Sequence, residues 1–308
     1  MCMIQILLAT YNSERFLSEQ LDSLLAQSCT DFEILIRDGM SEDRTEEIIN
    51  QYIRSFPGKI RFLGKGKASA CENFAHLLEA ARSELVMFCD HDDVWKKNKI
   101  EITLEAYKKA RIQYGENTPI MVFTDSVITD ENLNILSPSM MRSQHLNRTD
   151  FTLQKIIVQN MASGNTMLIN HSLRSLALPV AKEALMHDHW ITLAAAFAGR
   201  IIYVDEAAIL YRQHTSNVIG FSRYGFSFLL KKLSQGIPAI RERLYKNMDQ
   251  AASFLQLHKD MLKEEDIRLL DALAGFRQMG YWEKRIFLWN NHFRKEGFLR
   301  NLGMFLFI

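Results

Sequence analysis

Three carboxylates and a histidine occupy four consecutive positions of this chain, Asp90, His91, Asp92 and Asp93. They directly follow an apolar run at 85–89. If that run is a buried strand, the cluster lies at its carboxyl end, where open α/β sheets bind ligands. Carboxylates this close repel one another unless a positive charge joins them, and a hard divalent cation carrying a phosphate ligand is a common solution. The cluster therefore predicts a metal-assisted site for a phosphorylated ligand.

Polar residues also follow two earlier apolar runs. Residues 9–12 read Ala-Thr-Tyr-Asn, and such small and hydroxyl-bearing residues allow a flat ring or a phosphate to approach the backbone. Taken alone, an ordinary strand-to-helix turn is the simpler explanation. Asp38 ends the second run and can accept hydrogen bonds from a pyrimidine N–H or a ribose hydroxyl. Beyond it, Ser41 and Asp43 fit the role of caps for the next helix, with Ser41 at the N-cap.

Two histidine-containing segments in the second half add candidates. Residues 186–190 read Met-His-Asp-His-Trp, and residues 211–218 read Tyr-Arg-Gln-His-Thr-Ser-Asn-Val. Asp188 could remove a proton as a general base, but alone it is better explained as the N-cap of the following helix. His214 alone is better explained as a surface or hydrogen-bonded histidine.

Short apolar runs and helical patterns alternate through the first half of the chain. The spacing predicts strands at 4–9, 32–36, 60–63 and 85–89, with helices at 13–27, 41–55 and 72–82. Farther on it predicts helices at 96–114, 151–159 and 188–198, strands at 120–125, 127–129, 166–169, 201–204 and 208–211, and helices throughout from about residue 226. The alternation favours an α/β fold, a Rossmann-like and mostly parallel sheet flanked by helices, with a C-terminal helical extension.

The composition is that of a globular protein without a nucleic-acid partner. The 308 residues are 47% hydrophobic and carry a formal net charge of only +1. Residues 220–308 are basic, with 15 Lys and Arg against 9 Asp and Glu. None of the four cysteines forms a Cys-x-x-Cys pair, and the apolar run at 4–9 is too short for a signal peptide, so we expect a cytoplasmic protein.

Taken together, these motifs resemble those of the family 2 glycosyltransferases. The resemblance rests on Ala-Thr-Tyr-Asn near the start, Asp-Gly-x-Ser-x-Asp-x-Thr at 38–45 and Asp-x-Asp-Asp-x-Trp at 90–95. The segments at 186–190 and 211–218 are similar to those of a bacterial subgroup containing many rhamnosyltransferases of surface polysaccharide synthesis. The resemblance covers roughly residues 3–220. It implies the GT-A fold and inverting transfer from a nucleotide-sugar donor.

The resemblance also implies roles for individual residues. Asp188 matches the catalytic base. Mg²⁺ or Mn²⁺ would be held by Asp92 and Asp90, with His214 completing the metal and diphosphate site. The implied donor-binding residues are Thr10, Tyr11, Asn12, Asp38, Asn73 and Asp90. From the residues themselves, the rings of His187, His189 and Trp190 beside Asp188 suit a wall against a sugar acceptor. Gly164 and Asn165 fit a turn, but they precede a strand that could face the acceptor, so Gly164 is a further candidate for acceptor binding.

The chain departs from the family pattern at the base pocket. Many members carry two successive aspartates where this chain has Asp38-Gly39, so the choice between uridine and thymidine stays open. The stretch at 64–67 lacks the Asn-x-Gly that usually precedes the matched Asn73. Its lysines could touch a phosphate, but a solvated loop is the better interpretation.

The same reasoning divides the chain at residue 220. Residues 1–219 would form the catalytic domain, with a nucleotide-binding half at 1–95 and an acceptor half at 96–219. Residues 220–308 would form a helical region whose basic and apolar residues suit a peripheral contact with the inner face of the cell membrane. Packing on the catalytic body or a homodimer contact explains the same pattern equally well.

The expected function is transfer of a sugar to a lipid-linked saccharide in cell-surface polysaccharide synthesis of the O-antigen or capsule type. The first expectation for the donor, from the subgroup resemblance, is dTDP-rhamnose. The alternatives are a UDP-hexose or UDP-N-acetylhexosamine transferase of the same fold, or a non-catalytic protein that binds a nucleotide-sugar. A nucleotidyltransferase ranks last, because residues 10–14 supply neither the glycines nor the lysine of a phosphate-binding loop.

Overall fold

A computed structural model describes residues 3–214 and 236–308. Its first third alternates strands and helices as the sequence predicts. The strands are β1 (Ile4–Thr10), β2 (Phe32–Asp38), β3 (Ile60–Lys65) and β4 (Leu85–Cys89), and the helices are α1 (Leu17–Leu25), α2 (Thr45–Ser55) and α3 (Ala70–Ala80). β1 pairs in parallel with both β2 and β4, and β3 adds in parallel beyond β2. The carboxyl ends of β1, β2 and β4 therefore meet at one edge of the sheet.

One cap prediction was wrong. Helix α2 begins at Thr45, and Ser41 lies outside it. The Ser41 hydroxyl instead donates to Asp38 and accepts from the backbone N–H of Asn12. Asp43 lies one position before the N-cap residue, Arg44, and its carboxylate accepts hydrogen bonds from the backbone and hydroxyl of Thr45. The polar residues after β2 thus tie two strand ends together before the helix starts.

The second half adds antiparallel strands to the sheet, while its two long strands keep the direction of β1 to β4. Its elements are β5 (Val94–Trp95), α4 (Lys99–Tyr114), β6 (Ile120–Thr129), β7 (Ile135–Ser137), α5 (Met140–Ser143), α6 (Leu153–Val158), β8 (Met167–Asn170), α7 (His171–Ala177), α8 (His187–Ala198) and β9 (Arg200–Arg212). β8 lies antiparallel between β4 and β6. β6 and β9 are each one long strand, where the sequence predicts two short ones, because local register shifts interrupt the apolar pattern without ending the pairing.

The strands form one sheet in the order β3-β2-β1-β4-β8-β6-β9-β5, with β7 paired to β6. Apolar side chains cover both faces of this sheet. Helices α1, α2 and α4 pack on one face, and α3, α6, α7 and α8 pack on the other. The predicted mixed α/β architecture with helices on both sides is confirmed.

The described C-terminal part is helical, and its elements are α9 (Ile237–Leu257), α10 (Glu264–Ala274), α11 (Tyr281–Asn290) and α12 (Phe298–Phe307). The predicted helical segment at 226–235 lies outside the described residues. Phe254 of α9 packs edge-on against Trp190 of α8, with ring centroids 5.2 Å apart, so these helices share a core with the sheet. Among the described residues, no helix combines the length and apolarity that crossing a bilayer requires.

Candidate active site

A buried carboxylate joins the ends of β1 and β2. Asp38 has no exposed surface and accepts hydrogen bonds from the Thr10 hydroxyl at 2.8 Å and from the backbone and hydroxyl of Ser41 at 2.7 and 2.6 Å. These three donors satisfy both carboxylate oxygens. Asp38 therefore acts within the structure as the residue that fixes the loop, a role the sequence did not indicate.

Gly39 permits a close approach beside this carboxylate. A Cβ at position 39 would lie 3.0 Å from Nδ2 of Asn73 and 3.3 Å from the carbonyl oxygen of Thr10. Asn73 is buried, and its Oδ1 has no hydrogen-bond partner. Next to it the Tyr11 side chain is 57% exposed. Four of the predicted donor-binding residues, Thr10, Tyr11, Asp38 and Asn73, thus lie together.

Asn12 adopts a left-handed backbone conformation, with φ of 46°, which asparagine tolerates better than most residues. Its side-chain oxygen accepts from the backbone N–H of Glu42 at 3.0 Å. Asn12 thereby links the loop after β1 to the loop after β2 and helps to fix the shape of this edge of the sheet.

The acidic loop, residues 90–93, follows β4 at the same edge. Asp90 is half-buried, and Asp92 and Asp93 are buried. Burial, together with the neighbouring charges of Asp92 and Asp188, raises the pKa of Asp90 to about 8. Burial and the charges of Asp92 and Asp90 also raise the pKa of Asp93 well above its usual range. The carboxyls of this loop therefore cannot all ionise without a compensating positive charge, which favours a bound cation.

Asp92 lies beside His214. Oδ2 of Asp92 and Nε2 of His214 are 2.8 Å apart, and the imidazole ring packs against Phe16 at a centroid distance of 4.9 Å. Adjacent ligands of one Mg²⁺ ion, each about 2.1 Å from it, are about 3 Å apart. The carboxylate and imidazole donors therefore fit a divalent cation. Within residues 3–214 and 236–308, no group of three or more His, Cys, Asp and Glu side chains is gathered as a metal-ligand set.

Asp188 lies in the first turn of α8, close enough to Asp90 for its charge to raise the pKa of that carboxyl. Burial raises the pKa of Asp188 itself to about 6, and hydrogen bonds from the backbone of His189 and Gly164 and the side chain of Asn160 limit the rise. The N–H of His189 donates to Oδ1 at 2.6 Å. A base with a pKa of about 6 is ionised at neutral pH and can still accept a proton.

His187 packs behind this carboxylate. Its ring stacks on Phe74 with a centroid distance of 3.8 Å, and neither ring nitrogen has a hydrogen-bond partner. Burial lowers the pKa of His187 to about 3, so the ring is neutral. A Cβ on Gly164 would lie only 2.5 Å from Nε2 of His187, which shows how closely the two segments approach. His187 and Gly164 therefore contact each other beside Asp188.

None of the three rings flanking Asp188 forms the expected exposed wall for a sugar, since His187 is only 3% exposed and the other two are buried as well. Trp190 has no exposed surface, and its indole N–H donates to the Ala177 carbonyl at 2.7 Å. His189 is buried, with Nε2 2.6 Å from the Ile156 carbonyl. The prediction of acceptor contacts is corrected for all three rings: the first turn of α8 leaves Asp188 partly exposed and directs the rings of His187, His189 and Trp190 into the core.

Comparison with known proteins identifies the family. Residues 5–170, more than half of the chain, match the family model described as glycosyl transferase family 2. The chain belongs to glycosyltransferase family 2. This membership was predicted from the motifs at 9–12, 38–45 and 90–95.

Two relatives show how far the similarity extends along this family 2 chain. An uncharacterized glycosyltransferase of Nostoc sp. is 27% identical over 224 residues, which cover 70% of this chain and 66%, just under two thirds, of that protein. The dTDP-rhamnosyl transferase RfbG of Shigella flexneri is 25% identical over 258 residues, which cover 78% of this chain and 81% of RfbG.

Solved structures agree on the fold. The S. aureus TarS 1-349 complex with UDP-GlcNAc has a TM-score of 0.56 at 17% identity, covering 98% of this chain and 90% of TarS 1-349. The mannosyltransferase PcManGT from Pyrobaculum calidifontis, in complex with GDP-Man and Mn2+, has a TM-score of 0.51 at 14% identity, covering 90% and 81%. The fold is therefore that of the GT-A glycosyltransferases.

Sequence reasoning missed the residue that organises the acidic loop of this transferase. The backbone N–H of Arg212 donates to Asp93 at 3.1 Å, and its Nε donates to the Asp92 carbonyl at 2.8 Å. Its guanidinium also donates to the Glu131 carbonyl and to the carboxylate of Glu19. The available signal was an arginine at the end of an apolar strand, two positions before His214.

Asn165 was also missed, having been interpreted as part of a turn. Its side-chain amide donates to Oδ2 of Asp93, so both oxygens of this buried carboxylate are engaged. Asp93 thus anchors the loop, while Asp90 and Asp92 are left to act on a ligand.

Proposed function

We propose that this family 2 chain is an inverting, metal-dependent glycosyltransferase. It would move a sugar from a nucleotide-sugar to a hydroxyl of a lipid-linked saccharide in cell-surface polysaccharide synthesis. The observation that carries the proposal is the position of Asp188 in the first turn of α8, near enough to Asp90 for its charge to raise the pKa of that carboxyl. A proton-accepting carboxylate and the acidic loop after β4 then act on one reacting centre.

The donor would bind at the edge formed by β1, β2 and β4. Tyr11 offers an exposed ring beside the gap at Gly39, and Asn73 offers a buried acceptor next to it. Thr10, Asn12 and Asp38 support this pocket through the hydrogen bonds that join the strand ends. Nucleotide-sugar binding at the carboxyl ends of parallel strands agrees with the general behaviour of open α/β sheets.

Asp90, Asp92 and His214 would hold a Mg²⁺ or Mn²⁺ ion. When bound, the ion supplies positive charge against the negative charge that develops on the leaving diphosphate. Asp93, with both oxygens engaged by Arg212 and Asn165, keeps the loop in position for this purpose.

Asp188 would accept the proton of the attacking acceptor hydroxyl. A direct displacement from the face opposite the leaving group inverts the anomeric configuration. His189 donates its backbone N–H to Asp188, and the Asn160 side chain adds a second hydrogen bond, so the carboxylate is oriented before the acceptor arrives. General base catalysis of this kind contributes about 10²–10⁴-fold in rate.

The first donor to test is dTDP-rhamnose, which the similarity to the Shigella dTDP-rhamnosyl transferase supports. A UDP-N-acetylhexosamine is the second, because the TarS structure of similar fold binds UDP-GlcNAc. A UDP-hexose completes the panel.

The test is turnover of this donor panel by purified protein with Mg²⁺ or Mn²⁺ and a lipid-linked saccharide extract as acceptor. We expect one nucleoside diphosphate to be released faster than the others, with the sugar appearing on the lipid fraction. Absence of hydrolysis and transfer with every donor would contradict the proposal. Nucleotide binding that is unchanged in Asp188→Asn and never leads to turnover would identify a binding protein instead.

A further inference from the structure

The C-terminal helices carry an exposed apolar surface in addition to their buried sides. We call it the C-terminal apolar face, and it consists of Trp282, Ile286 and Trp289 on α11 with Phe298, Leu302 and Leu306 on α12. Their spacing of four, then three or four, positions places each trio along one side of its helix. Trp282 is 71% exposed and Phe298 is 76% exposed, values unusual for such large apolar side chains.

The exposed apolar residues of α11 and those of α12 lie next to each other. The rings of Trp289 and Phe305 meet edge-on at a centroid distance of 6.3 Å, and Arg285 donates to the Leu306 carbonyl at 3.1 Å. The opposite sides of the same helices are buried in the main core through Leu288 and Met304. The helices are thus already packed, and the outer face is a second apolar surface.

The charges around this face are mainly positive. Residues 281–308 contain five Lys and Arg, four of them outside the core because Lys284 is buried, but only two carboxylates, Glu283 and Glu296. Glu296 is little exposed and pairs with Lys155 at 2.7 Å. Arg294 lies over the Trp289 ring at 4.6 Å, which holds a guanidinium at the edge of the apolar surface. Tryptophan bordered by arginine is typical of protein segments at a lipid headgroup boundary.

We propose that the C-terminal apolar face docks on the surface of an anionic lipid bilayer. Positive charge beside exposed aromatic rings matches negatively charged headgroups above an acyl layer. A second copy of the chain fits less well, because a two-fold contact through this face would bring the same basic side chains together.

The C-terminal apolar face is connected through hydrogen bonds to the segment beside Asp188. The side chain of Gln159 accepts from the backbone N–H of Glu296 at 2.9 Å, and the next residue, Asn160, hydrogen-bonds Asp188. The connection between the two helices that would touch the bilayer is therefore hydrogen-bonded to the segment beside the proposed base. A lipid-linked acceptor would reach Asp188 from that side; this step, but not the docking itself, rests on the proposed function.

The test is co-sedimentation of the full chain with vesicles of equal parts phosphatidylcholine and phosphatidylglycerol. We expect the wild type to bind these vesicles and to bind pure phosphatidylcholine weakly. Trp282→Ser with Trp289→Ser should lower the partition coefficient at least about tenfold, because each exposed ring would lose its burial in the bilayer. Arg294→Gln should lower it about fivefold.

Two matched variants control for the loss of any exposed apolar or basic residue. Ile112 of α4 is 86% exposed and Lys108 lies on the same helix, so Ile112→Ser and Lys108→Gln should bind as the wild type does. Unchanged circular dichroism of the tryptophan variant verifies that the fold persists, and Trp282→Tyr, which keeps an interfacial ring, should retain most binding.

Wild-type protein that stays in the supernatant, or equal loss of binding in the Ile112 control, would overturn the docking proposal. A dimer that the tryptophan substitutions dissociate, without vesicle binding, would show a second copy as the occupant and would also overturn it. Donor hydrolysis without vesicles is measured alongside. Vesicle binding without hydrolysis contradicts only the proposed enzyme, and hydrolysis without vesicle binding contradicts only the docking.

Discussion

The side chains of Asp92 and His214 lie 2.8 Å apart although 122 positions separate them in the chain. The long strand β9 ends next to His214 and pairs with both β6 and β5, so the sheet itself brings the histidine to the acidic loop. The pair is held in place before any ligand binds.

Asp188→Asn should lower kcat about 10²–10⁴-fold while leaving the dissociation constant for the nucleoside diphosphate nearly unchanged. The amide keeps the shape of the carboxylate but cannot take a proton from the acceptor. Steady-state transfer assays and nucleotide titration calorimetry measure the two quantities. Glu116→Gln, at an exposed surface pair with Arg111, serves as the control and should be fully active. Equal loss in both variants would exclude Asp188 as the base.

The pH dependence of kcat should show a rising limb with an apparent pKa near 6. Burial raises the pKa of Asp188 to about 6, and only the deprotonated carboxylate can accept the proton, so activity increases as pH rises through this value. Transfer rates measured from about pH 5 to about pH 8 test this. Replacing Asn160 by Ala removes a hydrogen bond that lowers this pKa, and should move the limb to higher pH. A profile that is flat in both proteins would contradict the assignment.

Divalent cations should stabilise the fold more at about pH 8 than at about pH 5.5. The pKa of Asp90 is raised from 3.8 to about 8, so the folded protein holds a proton that the unfolded chain releases. Stability without metal is therefore lost as pH rises between these two values, and an ion that replaces the proton restores it. Thermal unfolding with Mn²⁺ and with a chelator measures the difference.

Asp92→Asn and His214→Ala should each abolish most of this gain in Tm. Asp205→Asn, which removes an exposed carboxylate paired with Arg142 and Arg148, should keep it. A gain in Tm that persists in both Asp92→Asn and His214→Ala would show that the ion binds elsewhere.

Gly164→Ala should destabilise the protein by about 1–3 kcal/mol and reduce transfer, because the added methyl group would lie 2.5 Å from Nε2 of His187. Gly275→Ala, where the added methyl group would lie 3.5 Å from the Asp271 carbonyl oxygen, should be close to neutral. Chemical denaturation gives both values. The double variant Gly164→Ala with His187→Ala should lose less stability than the two single losses combined, since the clash is gone. Simple additivity would show that the two side chains do not oppose each other.

Arg212→Met should cost about 2–6 kcal/mol of stability, because it leaves the carbonyls of Asp92 and Glu131 without their guanidinium donors. Arg212→Lys should recover little, since an ammonium cannot reproduce the fork that reaches both Asp92 and Glu131. Arg44→Met, at an exposed pair with Glu47, provides the control and should change stability little. Denaturant unfolding of the three variants tests this.

The sequence was most informative where a local pattern determines the structure. The alternation of apolar runs located β1 to β4 and the helices between them, and the motifs identified the family. It could not show that Trp190 and His189 face the core, because helical spacing alone does not fix which side of α8 is buried. Nor could it assign Arg212, whose partners at Glu19, Asp92 and Glu131 are distant in sequence. The role of Ser41 was predicted wrongly because a serine hydroxyl can cap a helix or connect two strand ends, and the sequence does not distinguish the two.

The large sequence separation between Arg212 and its partners has a consequence for folding during protein synthesis. Its Nε binds the Asp92 carbonyl, 120 positions earlier in the chain, so the acidic loop leaves the ribosome long before its main partner exists. Contacts of such separation form late, because a long segment must close first. A nascent chain that ends before β9 can pair β1, β2 and β4 but leaves the acidic loop without the hydrogen bonds that Arg212 donates to Asp92 and Asp93. Completion of β9 is therefore the step that brings Arg212 and His214 to the acidic loop.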